Sequence, residues 1–304
     1  MKEKKNKWVI LIIVLIVLFV IGYFLAGIIS LFTGKLPNNG NVALIPVEGV
    51  ITASGSSSIL GEQGASSTDI VDLINKANDN PDIKAILLEI NSPGGSGVAS
   101  EEIANALKHV NKTKVSYIRE VGASGAYWIA TATDRIFASK MSITGSIGVL
   151  ASYIEYAGLM KKYNITYRKL TGGEYKDIGS PYRELTPTET GIIQEQLDLM
   201  HDLFITEVAK NRKLPKSFIE QYAKGDPIIG MKAQEAGLID EIGGKEEAIK
   251  YIEKKIGATA EVSEYRTQRT LLDLLSNLMQ QNSYSIGLGI GQGMLKEDRQ
   301  AVWT

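Results

Sequence analysis

Residues 8–34 carry no charged side chain, and 8–32 form a 25-residue apolar run. A helix needs about 20 such residues to cross the hydrocarbon core of a bilayer. The pattern therefore predicts a transmembrane helix over 8–32. Lys2, Lys4, Lys5 and Lys7 precede it, which predicts a cytoplasmic N-terminus and an extracytoplasmic remainder. A cleaved secretory signal has a shorter apolar core, about 7–15 residues, ending in an A-x-A-like site. This run is longer and has no such site near Ala26, so the pattern favours an uncleaved anchor.

Beyond a polar linker (33–41), apolar runs and helical periods alternate. NVALIPVEGVI (41–51) predicts a strand, and the Gly/Ser-rich stretch 54–67 a mobile loop. Ile70, Val71, Ile74 and Ala77 share one side of a helix predicted over 68–78. KAILLEI (84–90) suits a strand buried on both faces. It empties into the tight loop NSPGGSG (91–97), ahead of a helix over 99–110 with Ile103, Leu107 and Val110 inward. A strand at 115–121, the turn GASG (122–125), a helix at 126–133 and a strand at 134–139 follow. This alternation is the sequence form of a layered α/β fold.

Farther on, Thr186, Pro187 and Glu189 make a capping box with proline in the first turn. The helix they open has Ile193, Leu197, Met200, Phe204 and Val208 at helical spacing. A shorter helix follows Pro215. Residues 230–244 predict helix, tight turn and strand; further helices are predicted at 245–255 and 270–281, and a flexible Gly-rich tail over 283–304. The reading divides the chain into a basic segment (1–7), the anchor (8–32), the linker (33–41), a main α/β domain (42–256) and a C-terminal extension (257–304).

Composition narrows the chemistry. The 33 basic side chains nearly balance the 34 acidic ones. Outside residues 1–7, which hold four Lys and one Glu, the acidic groups outnumber the basic by four. Nothing in that balance argues for nucleic acid. The chain has no cysteine, which excludes disulfides, thiolate nucleophiles and cysteine-based metal sites. Only two histidines are present, His109 and His201.

Gly122-Ala123-Ser124-Gly125 joins a predicted strand to a predicted helix. Small neighbours expose the serine hydroxyl, and a helix N-terminus directs free N–H groups to the same place. The turn resembles a nucleophile elbow, although Ala126 breaks the full G-x-S-x-G pattern. Asn91-Ser92-Pro93-Gly94-Gly95 could likewise offer backbone N–H groups to a ligand oxygen, as an acyl-transfer site requires. Each segment taken alone is also an ordinary turn. A serine nucleophile needs a base. His109, at a helix end, and His201, mid-helix, read as structural or solvated. A lysine whose amine is neutralised by burial can serve instead. Lys176 is singled out by its context, after Gly172-Gly173 and between Tyr175 and Asp177.

At these residues the chain resembles the signal peptide peptidase A family, membrane-bound bacterial Ser/Lys proteases related to Clp protease and the crotonases. The likeness covers about residues 42–255. It rests on the strand before NSPGG, the A-S-G of GASGAYW, TGSIGVL at 144–150, the run YKDIGSPYRELT, and GMKAQEAGLIDEIG at 230–243. The resemblance implies a crotonase/Clp-protease-like fold of layered β-β-α repeats. It implies Ser124 as nucleophile, Lys176 as general base 52 positions later, Ser146 as the residue that orients the lysine, and Gly94 and Gly95 as the oxyanion loop. Gly125 is the second oxyanion donor by its position. The chain departs from the family at Ala126, where a second glycine is usual, and at the bulkier, more polar Arg119-Glu120-Val121.

The resemblance further implies a ring-shaped homo-oligomer, with the lysine serving its own or a neighbouring serine. Apolar peptides such as signal peptide remnants would be substrates, held as an added strand beside Gly95 and 148–151. Neither metal nor cofactor is needed for that chemistry. Two other readings stay open on the sequence: a crotonase-like acyl-CoA enzyme, and an inactive membrane scaffold of protease fold.

Overall fold

The computed structural model describes residues 14–24, 40–55 and 64–267. The chain divides into two units, Met1–Asn38 with Arg266–Thr304, and Asn39–Tyr265. In the first, residues 14–24 form a helix, α1, exposed along its length. Among the described residues no helix is long and apolar enough to cross a membrane; the rest of the predicted 8–32 span lies outside them. So do most of the linker, the centre of the 54–67 loop, the helix expected at 270–281 and the tail.

The second unit is built on one eight-stranded sheet, with central order β6-β5-β3-β2-β1-β8. Strands β1 (Val42–Glu48), β2 (Ala85–Ser92) and β3 (Thr113–Ala123) lie parallel at its heart. Seven of the eight residues of β2 are buried, as expected of a parallel strand covered on both faces. On one face Val42, Leu44, Ala85, Leu87, Val115 and Tyr117 pack under Ala248 and Ile252 of α9 (Lys245–Ile256). The alternate residues, among them Ile45, Ile86 and Leu88, are equally buried and point to the opposite face by the two-residue period of a strand. Helices α2 (Ser67–Asp79), α3 (Gly97–Lys108) and α4 (Gly125–Thr131) cover that side.

Strand β3 has two partners on its outer edge. Its first half pairs with β4 (Arg135–Ala138) and its last residues with β5 (Ile143–Gly145), both parallel. β6 (Pro227–Ile229) pairs antiparallel with β5, β7 (Glu241–Ile242) adds to β4, and β8 (Val262–Glu264) adds to β1. Among the described residues the other α-helices are α5 (Ala157–Lys162), α6 (Pro187–Arg212), α7 (Lys216–Ile219) and α8 (Gly230–Glu235), with a 3-10 turn at Glu220–Tyr222. This mixed α/β architecture fits a Clp-protease-like fold.

The capping box expected for α6 is formed: Thr186 Oγ1 accepts from the Glu189 amide, and Glu189 Oε2 accepts from the Thr186 amide. Its expected apolar stripe is only half used. Phe204 and Val208 are buried, Ile193 and Leu197 are partly covered, and Met200 is exposed. The distal half of α6 thus packs on the sheet unit, whereas the proximal half has little to pack against. The same holds for the chain before it: no residue from 148 to 188 is buried.

Candidate active site

Because β2, β3 and β5 run parallel, their carboxyl ends arrive side by side. Register pairs Ser92 with Gly122, Gly122 with Thr144, and Ala123 with Gly145. The loops leaving these three strands therefore share one edge of the sheet, where open parallel sheets place their ligands. Ser124 and Ser146 are thereby neighbours, and the Ser124 amide donates to the Gly145 carbonyl at 2.8 Å.

Ser124 occupies the N-cap of α4 with φ 53° and ψ −127°. A positive φ is costly for a residue with a Cβ. Serines at N-caps ordinarily accept a backbone N–H, as Ser66 and Ser96 do from Asp69 and Ala99. The Ser124 side chain makes no capping bond. The chain thus carries local strain at a serine whose hydroxyl has no structural duty. That is the strand-to-helix geometry of a nucleophile elbow.

The glycines around it are required by contact. A Cβ on Gly94, where φ is +97°, would lie 2.8 Å from the Ala123 carbonyl oxygen, the Gly125 nitrogen and the Ser124 Cβ. One on Gly125 would fall 2.2 Å from Ser100 Oγ and 3.6 Å from the Gly95 nitrogen. The amides of Gly95 and Gly125 are therefore close together beside Ser124. Gly95 is bridged to Ile51 through its neighbours: Ile51 donates to the Gly94 carbonyl at 2.9 Å, and the Ser96 amide donates to the Ile51 carbonyl at 2.8 Å. That pattern turns Gly95's own N–H away from Ile51. The Gly125 N–H is the first of the donors that a helix leaves without an intrahelical acceptor. Two backbone donors beside a half-buried, uncapped hydroxyl can stabilise an oxyanion formed on an attacked carbonyl.

Side chains to which the sequence reading gave no holding role complete this arrangement. Ser92 Oγ accepts from the Gly94 amide at 3.1 Å, Asn91 Oδ1 from the Val121 amide at 3.2 Å, and Thr144 Oγ1 donates to the Gly122 carbonyl at 2.8 Å. All seven residues of α4 are buried, so the methyl of Ala126 is accommodated inside the core. Tyr127 donates to the Leu238 carbonyl at 2.7 Å, and burial pushes its phenol well above the ordinary range. Trp128 stacks on Phe204 of α6 with ring centroids 5.1 Å apart. Asn91, Ser92, Thr144, Tyr127 and Trp128 lie within the quoted motifs, but their side-chain partners depend on strand register and packing, which sequence spacing does not show.

Ser146 also has a positive φ, 50°. Its amide donates to the Asp226 carbonyl at 3.2 Å and its hydroxyl to the Gly225 carbonyl at 2.9 Å. With its proton committed, the oxygen is left as an acceptor for an amine. Lys176 is exposed, and among the described residues its Nζ makes no hydrogen bond or ion pair within the chain. A single chain thus assembles Ser124, Gly94, Gly95, Gly125 and Ser146, and gives Lys176 no bond to either serine. His109 contacts the Asn105 carbonyl on its own helix, and His201 Nε2 lies 3.2 Å from the Ile147 carbonyl. Among the described residues no group of three His, Asp or Glu is placed to hold a metal ion.

A parallel sheet with a strained serine elbow and a double-glycine loop at its carboxyl edge is the framework of an acyl-transfer enzyme. Comparison with known proteins places the chain within that class. Residues 106–259 match Peptidase family S49. A putative protease of Methanocaldococcus jannaschii is 36% identical over 73% of this chain and 72% of its own length. A putative signal peptide peptidase SppA of Enterococcus faecium is 32% identical over 77% of this chain and 69% of its own. Protease 4 of Haemophilus influenzae is 32% identical over 73% of this chain, which spans only 35% of that longer protein. The chain belongs to peptidase family S49, the signal peptide peptidase A family.

Proposed function

We propose that the protein is a membrane-anchored serine endopeptidase working through Ser124 and Lys176. The observation that carries this reading is the uncapped Ser124 at φ 53°, with the Gly95 and Gly125 amides beside it. Neutral Lys176 Nζ takes the Ser124 proton as Oγ bonds to the scissile carbonyl carbon. The two amides hold the resulting oxyanion. Collapse breaks the C–N bond, and the lysine ammonium returns its proton to the leaving amine. Water then attacks the acyl-enzyme, with Lys176 again taking the proton; the C–Oγ bond breaks, the ammonium returns its proton to Ser124 Oγ, and the acid product leaves. Ser146, its own proton held by Gly225, accepts from the amine and orients it.

The open position of Lys176 favours a lysine presented to another subunit. The segment 148–188 has no buried residue, yet it carries Leu150 at 81% exposure and Ile154 at 69%, with Tyr163, Ile165 and Leu170. Apolar surface on this scale marks a contact face. A homo-oligomeric ring that buries it would also desolvate Lys176, the condition for a neutral amine near physiological pH. The apolar stretch 8–32 would hold the ring at the outer face of the cell membrane, where leftover signal peptides concentrate. The name of the Enterococcus faecium relative points to the same substrates.

The test uses the full-length protein on apolar peptides. Wild type cleaves, whereas Ser124→Ala and Lys176→Met each lose at least about 10³-fold in kcat/KM, as when a nucleophile or its base is removed. Mixed oligomers of the two inactive variants regain activity if the lysine acts in trans. Peptidase activity retained in both single variants overturns the assignment.

A further inference from the structure

The residue after Lys176 sits in a closed ionic cluster. Arg183 holds Asp177 with two parallel bonds, Nε to Oδ2 and Nη2 to Oδ1, each 2.9 Å. The same guanidinium reaches Glu189, with Nη1 to Oε2 at 2.8 Å and Nη2 to Oε1 at 2.5 Å. Lys169 Nζ donates to Asp177 Oδ1 at 2.6 Å. Glu189 is the capping-box residue of α6, and it is buried, unlike the chain just before it. Through α6, Phe204 and Trp128, this cluster is continuous with the helix that begins after Ser124. The planar fork of arginine suits such two-sided carboxylate binding, and lysine cannot reproduce it.

We infer that Arg183 is a positioning residue for the reaction. By clamping Asp177 to the start of α6 it fixes where the Lys176 amine is presented, and it balances the carboxylate of the residue next to that lysine in the chain. The inference rests on the reading of Lys176 as the base. The charged groups that contact Asp177 are Lys169 and Arg183; Arg183 is shared with Glu189 of α6, and on the same turn Tyr175 bonds to Glu174. With Arg183 in place Asp177 is balanced. Without it, Asp177 keeps only Lys169, and the less fully compensated carboxylate next to Lys176 in the chain favours the ammonium, so the base works only at higher pH.

The experiment is the pH dependence of kcat/KM for the full-length protein, whose acid limb reports deprotonation of the base. Arg183→Gln is expected to move that limb upward by on the order of one pH unit, the scale on which one unit charge acts on another near a protein surface. Its kcat falls about tenfold, the order that loss of alignment at a reacting group costs, with KM little changed. Asp177→Asn leaves the Arg183–Glu189 pair and two cations near the amine, so its limb moves downward. The double variant returns the limb towards its wild-type position while kcat stays low. Melting temperature and oligomer size of each variant report folding. Should Arg183→Gln not fold, the downward shift in Asp177→Asn, which preserves side-chain shape, still decides the matter. Unmoved limbs in the folded variants, with Lys176→Met inactive, overturn this inference alone. An active Lys176→Met removes the reading beneath it.

Discussion

Gly94→Ala tests the site with a single methyl group. The added Cβ would sit 2.8 Å from three atoms, the Ala123 carbonyl oxygen, the Gly125 nitrogen and the Ser124 Cβ. Two are backbone, so no side chain can swing aside. Ordinary contact needs roughly half an ångström more, and the loop or the serine turn must move by that amount. The residue must also keep φ +97°, which costs a non-glycine residue about 1–3 kcal/mol. For a unit of this size such a cost lowers Tm by roughly 3–10 °C. The effect on rate is larger, because the displaced elements carry the oxyanion donors. Losing one such donor costs about 10²–10³-fold in kcat. Gly97→Ala is the control: nothing lies within 4 Å of its added Cβ and its φ is unexceptional. Steady-state kinetics and calorimetry on both variants decide the question. A Gly94→Ala protein with wild-type Tm and kcat within threefold of wild type refutes the close approach of this loop to Ser124.

Phe204→Ala removes a buried ring stacked on Trp128; truncation of such a side chain costs about 3–5 kcal/mol, read from denaturant unfolding. Tyr127→Phe leaves the buried Leu238 carbonyl without its donor and destabilises by about 1–3 kcal/mol in the same assay. Arg183 holds the Asp177 carboxyl well below its usual range, and Glu189 down to about 2. A depressed folded-state pKa contributes stability present above the unfolded value, about 4, and lost as pH falls through the folded one. Limited proteolysis of segment 148–188 is therefore expected to stay flat above about pH 5 and to accelerate between about pH 4 and 2. An unchanged cleavage rate across that window contradicts the charged cluster.

The central strands and their helices were legible because burial on both faces leaves a plain mark. Ala85–Ser92 is apolar almost throughout, and the inner stripe of α3 (Ile103 and Leu107) is covered as expected, as is Val110, although the helix ends at Lys108 rather than at 110. The capping box at Thr186 and Glu189 fixed the start of α6 to within one residue. What escaped notice was short or made by partners. β5, β6 and β8 have three residues each, too few for a two-residue period to declare itself. α5 has no buried residue, so it has no apolar face to find. The outer half of the stripe on α6 misled for a related reason: apolar spacing identifies a helix face that will be covered, but not by what. At the site, the two glycine-bearing turns were visible as sequence, whereas their approach depends on strand register. The Arg183 clamp was hidden because its carboxylates lie six positions away on either side, a spacing with no periodic signature.

Covalent labelling tests the central claim most directly. The full-length protein is treated with a serine-directed fluorophosphonate and its peptides are read by mass spectrometry. The account predicts one adduct on Ser124, none in Ser124→Ala, and labelling slowed at least about 10²-fold in Lys176→Met for want of a base. An adduct on a different serine that persists in Ser124→Ala alongside peptidase activity contradicts it.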